Sequence, residues 1–274
     1  MSKQKSTLLS QHKYAIQASM LGDTSTLPWT NLGLWQGALN YPEACRNLVL
    51  HLVDAIHLTQ QDRLLDLGCG QGASLKLWQD HFKLPHFEAV ELQVACIDPI
   101  QKQALLGLQH LHQGDFLKLK PAQFQQFFDV IVCIDALYHH ALPDFLSVIR
   151  PLLGNHGRIA FHYLTFSKKW KKATTWQKLR IRYLLKAADI QLDHLKDQEG
   201  LWEQLTQVGF HHIKIEDLTQ GVCAGFAHYI TTMPPQQLHG LDGFKIKMTA
   251  KLCRQLAQDG LIEYVQVTAR ASSV

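Results

Sequence analysis

The sequence predicts an α/β fold, a largely parallel sheet covered by helices, and three observations predict it. Short apolar runs alternate with helix-patterned segments from about residue 40 to 217, the signature of strand–helix–strand units. The run from Phe128 to Ile134 is apolar almost throughout, as suits a central strand buried on both faces. Finally, Leu64-Leu65-Asp66-Leu67-Gly68-Cys69-Gly70-Gln71-Gly72 joins an apolar strand to a helix through a glycine-rich turn.

Each element follows from its local pattern. A first helix is expected from Tyr41 to Leu58, with Asn40 as N-cap, Glu43 as its reciprocal partner, and Cys45, Leu48, Val49, Leu52 and Ile56 on one face. Arg63 to Leu67 forms the first strand, and Ala73 to about His81 the next helix. A second strand runs from His86 to Val90, with a helix beginning near Gln93. The third strand is short and ends near Gln113, and the fourth is Phe128 to Ile134. Pro143 to Leu153 reads as a helix stopped by Gly154-Asn155-His156-Gly157, before a fifth strand from Arg158 to Leu164. A helix from Glu199 to Val208 stops at Gly209, followed by strands Phe210 to Ile215 and Leu261 to Ala269. Residues 1–39, 165–198 and 218–260 do not fit the alternation. We therefore expect an N-terminal arm or lid over 1–39 and a core over 40–274, with lid insertions near 165–198 and 218–260.

Length and composition bound the functional class. The chain has 274 residues, 46% hydrophobic and 18% charged, enough for one or two domains with a substantial core. The opening Met1-Ser2-Lys3-Gln4-Lys5 is polar and leads into no secretory apolar run. The two stretches without Asp, Glu, Lys or Arg, Thr24 to Pro42 and Leu218 to Leu241, are broken by Pro, Gly and polar residues. A soluble, cytoplasmic protein is expected. Six scattered cysteines form no CxxC pair, and sixteen dispersed histidines form no ligand motif, so neither a disulfide frame nor a metal is expected. Eight of the 27 basic residues lie between Lys168 and Lys186 with no acid among them, leaving 19 basic against 23 acidic residues elsewhere.

Four sites carry chemistry. The glycines of the first turn allow close backbone approach to a ligand, and the following helix offers free N–H groups. Glu91 ends the second strand, 19 residues beyond Gly72, where an acid accepts both hydrogen bonds of a ribose diol; a helix-capping role is the plainer alternative. Asp115-Phe116 follows the third strand and suits adenine, the acid bonding the exocyclic amine and the ring stacking. An ordinary loop acid beside a core ring is the alternative. Asp135, Tyr138, His139 and His140 follow the fourth strand at the carboxyl edge of the sheet, where such sheets bind ligands.

In this order the four sites resemble the class I, Rossmann-like S-adenosylmethionine-dependent methyltransferases. Residues Asp66 to Gly72 are similar to the family's first motif. Glu91, Asp115-Phe116 and Phe128 to Ala136 are similar to the next three, and Leu152 to Leu164 to the fifth-strand motif. The resemblance covers roughly residues 30 to 217. It implies a seven-stranded sheet in the order 3-2-1-4-5-7-6 with the last strand antiparallel. It also implies S-adenosylmethionine as cofactor, no metal, and a cofactor site that includes Asp66, Gly68, Cys69, Gly70, Gly72, Glu91, Leu92, Asp115, Phe116 and Asp135. Asn31-Leu32-Gly33-Leu34-Trp35 is similar to a stretch that precedes the core in members acting on sterols, quinones, tocopherols and phosphoethanolamine. There it closes over the methionine end of the cofactor, which would add Trp35 to the site; an aromatic anchor for the arm is the alternative. Gly68-x-Gly70-x-x-Ala73 also satisfies the dinucleotide fingerprint, so an NAD(P)-dependent oxidoreductase is the competing reading. Gly72, the Asp115-Phe116 pair and the lack of a second strand–helix–strand half count against it. A non-catalytic cofactor-binding protein is a further alternative, against which the intact glycine turn, Glu91 and Asp115 weigh.

Methyl transfer from a sulfonium is an in-line displacement, so orientation and exclusion of water carry most of the catalysis, worth about 7–11 kcal/mol. A nitrogen or oxygen acceptor must also lose a proton, and His139, His140 and, less aptly, Tyr138 could take it. A histidine lies at a position similar to His139 in phosphoethanolamine methyltransferases. The acceptor is expected to be a small molecule, amphiphilic or acidic, methylated at nitrogen or oxygen by preference with carbon also open, and no nucleic acid is expected as partner. On one helical wheel over Ser167 to Ala188, Trp170, Ala173, Trp176, Tyr183, Leu184 and Ala187 share a side, opposite Lys171, Lys172, Lys178, Arg182 and Lys186. Such a helix suits a lid packed on the core or an anionic membrane surface.

Overall fold

The computed structural model describes residues 16–272; the polar start read from Met1 to Lys5 and the first part of the arm lie outside them. Seven strands form one sheet in the order β3-β2-β1-β4-β5-β7-β6. They are β1 (Leu64–Leu67), β2 (Phe87–Glu91), β3 (Leu108–Gln113), β4 (Phe128–Cys133), β5 (Leu153–Phe166), β6 (Phe210–Asp217) and β7 (Ile262–Ala271). Strands β1 to β5 pair in parallel, while β7 runs antiparallel to both β5 and β6. Among the described residues eight α-helices cover it: α1 (Tyr41–Asp54), α2 (Ala73–Asp80), α3 (Val94–Lys102), α4 (Leu142–Ile149), α5 (Thr175–Ala187), α6 (Gln198–Gln207), α7 (Gly225–Thr232) and α8 (Gly240–Asp259).

The period of two in the strands divides the core between the two faces of the sheet. Leu65, Leu67, Ile131, Cys133, Ile159 and Phe161 point to the face covered by α4 to α8. Leu64, Phe87, Ala89, Val130, Val132 and Ala160 point to the other, against α2, α3 and the later turns of α1. The alternation puts Asp66 on this second face, wholly buried among apolar neighbours.

Three local expectations are corrected. The first helix ends at Asp54, because His57 takes a left-handed conformation (φ 54°) and turns the chain. The helix after β4 ends at Ile149, and a single 3₁₀ turn leads straight into β5 at Leu153. Gly154 to Gly157 therefore lie inside β5 as a bulge: Phe128 pairs with Leu153 but Val130 already pairs with Arg158.

The third correction concerns the basic segment, which is not one helix. Ser167 caps a 3₁₀ turn over Lys168–Lys172, and Ala173 is extended. Thr174 then starts α5, with its hydroxyl taking the Gln177 amide and the Gln177 side chain returning to the Thr174 amide. The break resets the wheel: Ile181, Leu184 and Leu185 face the core, while Trp176 and Tyr183 stand 82% and 72% exposed. In residues 218–260, Val222, Phe226, Ile246, Cys253 and Leu256 join the same core as the sheet.

Candidate active site

The site grows from the end of β1. Gly68, Gly70 and Gly72 take φ values of 74°, 57° and 89°, so three left-handed residues fold the chain back before α2 begins. Any other residue at Gly70 would be strained, and its Cβ would lie 2.8 Å from Thr30 Oγ1. The turn aims the Gly70 amide at Glu91, whose Oε2 accepts it at 2.8 Å while Oε1 accepts the Gln93 amide at 2.7 Å. Burial pushes the Glu91 carboxyl up, and the amides of Gln93, Gly70 and Leu92 hold it down.

Beneath the turn lies Asp66. Its Oδ2 accepts from Ser74 Oγ (2.7 Å) and Trp78 Nε1 (2.9 Å), both on α2. Its Oδ1 is buried with no partner and Asp66 lines the cavity above. Burial raises this carboxyl to about 6, against the pull of Ser74 and Trp78.

That cavity, about 280 Å³, runs along the carboxyl edge of the sheet. The glycine turn, Ser74, Glu91, Leu92, Gln93 and Cys96 line it together with Phe116, Asp135, Ala136, His139, His140 and Asp189, under a roof of Pro28 to Asn31. The roof is pinned at several points. Asp23 accepts from the Ser25 hydroxyl and from the Trp29 amide (2.7 Å), and Tyr41 donates to the Asn31 carbonyl (2.9 Å).

Asp135 holds the roof to the sheet. Its Oδ2 accepts the Leu32 amide at 2.7 Å and its Oδ1 accepts the Tyr264 hydroxyl at 2.7 Å. The residue sits at φ 53°, an uncommon conformation for a side-chain-bearing residue. Burial lifts its carboxyl to about 6, opposed by hydrogen bonds from Tyr264, Leu32 and Tyr138. Its own amide donates to His162 Nδ1 (3.2 Å), which leaves the proton of that neutral ring on Nε2. Burial drives His162 down to about 3.

The two histidines after β4 have different surroundings. His140 packs edge-on against Phe116 at 5.1 Å between ring centres, and burial lowers its pKa. His139 Nδ1 lies 3.3 Å from the Asp189 carbonyl. A carbonyl only accepts, so Nδ1 carries a proton in this contact.

Of the residues singled out in the sequence, Asp66, Gly68, Cys69, Gly70, Glu91, Leu92, Phe116, Asp135, His139 and His140 line this one cavity. Gly72, Asp115, Tyr138 and Trp35 stand outside its lining. Gly72 caps α2, and Asp115 caps the 3₁₀ turn at Phe116 by accepting the Leu117 amide. Tyr138 donates to Asp135. Trp35 stacks on Tyr229 of α7 at 4.4 Å, and its Nε1 donates to Leu32. It anchors the arm, and Trp29 is the tryptophan at the cavity. Sequence reading missed Trp29, Thr30, Ser74 and Asp189. A serine two residues past the last glycine was a usable signal, whereas nothing near Asp189 pointed to it. Among the described residues, no group of three His, Cys, Asp or Glu is placed to hold a metal ion.

A methyltransferase domain model matches residues 38–215. Among curated proteins, (+)-O-methylkolavelool synthase of Herpetosiphon aurantiacus is 26% identical over 206 residues, which is 72% of this chain and 68% of the relative. A cyclopropane synthase of Mycobacterium tuberculosis superposes with a TM-score of 0.73 at 17% identity, covering 96% of both chains. Geranyl diphosphate C-methyltransferase of Streptomyces coelicolor, solved with Mg2+, a geranyl thiolodiphosphate and S-adenosylhomocysteine, gives 0.70 at 16% identity, again over 96% of both.

Proposed function

The chain belongs to the class I S-adenosylmethionine-dependent methyltransferases, and from that premise we propose that its acceptor is an oxygen or nitrogen of a small molecule seated against His139. One observation carries this reading: the glycine turn and Glu91 share a single cavity with His139. The O-methyl product named for the Herpetosiphon relative supports an oxygen acceptor.

Three features support the fit of the cofactor to this chain. Glu91 offers its remaining lone pairs to the ribose diol, and the Phe116 ring offers a face for adenine. The unpartnered Asp66 Oδ1 offers a counter-charge to the amino group of the methionine end. When bound, S-adenosylmethionine supplies a methyl carbon already activated by the sulfonium.

The chain's residues then orient, shield and deprotonate. The roof of Pro28 to Asn31 serves as a lid that excludes water. His139 Nε2 takes the acceptor proton as the new bond to carbon forms, its ring held by Asp189 through Nδ1. Asp135 fixes the roof above it. Six buried, free cysteines accord with a cytoplasmic, reducing setting. No helix of the described residues is long and apolar enough to cross a membrane; we take contact with an anionic membrane through residues 167–188 as part of this reading.

The test is turnover on a panel of apolar alcohols, phenols and amines, followed by mass spectrometry of the product. His139→Ala is expected to lower kcat by roughly 10²–10⁴-fold with cofactor affinity retained. Full kcat in that variant would remove His139 from the chemistry, and methylation only at carbon would overturn the acceptor assignment.

A further inference from the structure

The outward face of α5 carries an apolar stripe that the fold leaves bare. Trp176, Leu179 and Tyr183 are 82%, 52% and 72% exposed. At 100° per residue they fall within an arc of roughly 60°, opposite the buried Ile181, Leu184 and Leu185. A lone exposed apolar residue means little, but three in one row on one helix mark an interaction surface.

The chemistry around the stripe identifies the partner. No Asp or Glu occurs from Ser167 to Ala188, where eight Lys and Arg stand. Arg182 and Lys186 flank the stripe on one side and Arg180 on the other. Arg180 pairs with Asp259 and Arg182 with Asp193. Lys172 and Lys186 make no ion pair among the described residues, and both are exposed. Protein–protein interfaces are depleted in lysine, whereas helices that lie in the headgroup layer of a bilayer combine Lys and Arg with Trp, Tyr and Leu. The chain leaving α5 reaches the active site within two residues: Asp189 lines the catalytic cavity and its carbonyl holds His139.

We propose that α5 lies on an anionic bilayer through Trp176, Leu179 and Tyr183, with its basic flanks on the headgroups, so that an acceptor dissolved in the lipid enters beside Asp189. The inference rests on the methyltransferase reading for the acceptor's route alone. Docking is measured without turnover, and turnover is measured on a water-soluble acceptor without vesicles, so either can fail by itself.

The experiment is binding of the whole protein to vesicles of phosphatidylcholine with phosphatidylglycerol, against phosphatidylcholine alone, followed by co-sedimentation and by tryptophan emission. The expected result is binding to the anionic vesicles that weakens with salt, with emission shifting to the blue. Replacing the stripe (Trp176→Ser, Leu179→Ser, Tyr183→Ser) should weaken binding at least roughly tenfold. Cofactor affinity and turnover of a soluble acceptor should not change. Lys172→Glu with Lys186→Glu should abolish the preference for anionic lipid. No binding beyond that to phosphatidylcholine, or undiminished binding by the stripe variant, would overturn the proposal. So would self-association that is lost with the stripe, since a second copy would then be its occupant.

Discussion

Asp66 joins stability and binding in opposition. Its carboxyl is fully buried and raised to about 6, so the native state holds this proton between about pH 4 and 6, where the unfolded chain has released it. Wild-type stability therefore falls as pH rises through that window, by up to about 3 kcal/mol for this group. Asp66→Asn can keep both bonds to Ser74 and Trp78 while removing the buried charge. At pH 7 its unfolding free energy should exceed wild type by up to that amount, and the gain should vanish by pH 4. Its affinity for S-adenosylmethionine should drop at least roughly tenfold, through loss of a charge-assisted partner. Chemical denaturation at the two pH values, paired with calorimetry, decides; a gain that persists at pH 4 would refute the ionisation argument. The glycines, Asp66 and Glu91 were legible as a group, because a strand, a turn and a helix start fix their relative positions within a few residues. Asp115 carries two readings for a local reason: an Asp before a short turn is also a cap, and here its side chain takes the Leu117 amide.

Among the elements, the arm over residues 23–35 is the one whose position depends on contacts distant in sequence. Asp23 organises its turn, Tyr41 of α1 holds its backbone, Asp135 takes Leu32, and Trp35 locks on Tyr229 of α7. Asp23→Ala should cost roughly 1–2 kcal/mol of stability. It should also raise KM for S-adenosylmethionine several-fold, with kcat less affected. Hydrogen exchange should show faster exchange over 23–35 with the sheet unchanged; an unaltered KM would detach the arm from cofactor binding. The start of α5 was readable in advance, since Thr174 and Gln177 form the spacing of a capping box. Missing it joined Trp170 and Ala173 to one wheel with Trp176 and Tyr183, although only the latter two belong to α5. Thr174→Ala should cost about 1 kcal/mol and shorten α5 from its first turn, seen as lost helical ellipticity. The run Gly154 to Gly157 looked like a stop signal because glycine clusters also serve as bulges, and only pairing with β4 distinguishes the two.

Across the whole molecule, cofactor, arm and sheet should behave as one cooperative unit. A ligand at 100 times its Kd stabilises the native state by about 2.7 kcal/mol, which for a chain of this size moves Tm by roughly 5–10 °C. S-adenosylhomocysteine should give such a shift and NADH none. A shift with NADH alone would revive the dinucleotide reading that the first glycine turn also permits. By itself the sequence determined the α/β class, the strands and their order by likeness, and the grouping of the glycine turn with Asp66 and Glu91. These rest on periodicity and on motifs in which neighbours in sequence are neighbours in space. Only the tertiary structure decided how the arm and β7 close over the cavity beside Asp135. Trp29, Asp135, Tyr264 and Asp189 meet there from the arm, β4, β7 and the chain beyond α5. No local pattern encodes a meeting of residues more than a hundred positions apart, because it exists only once the sheet has closed and brought Asp135 to its partners.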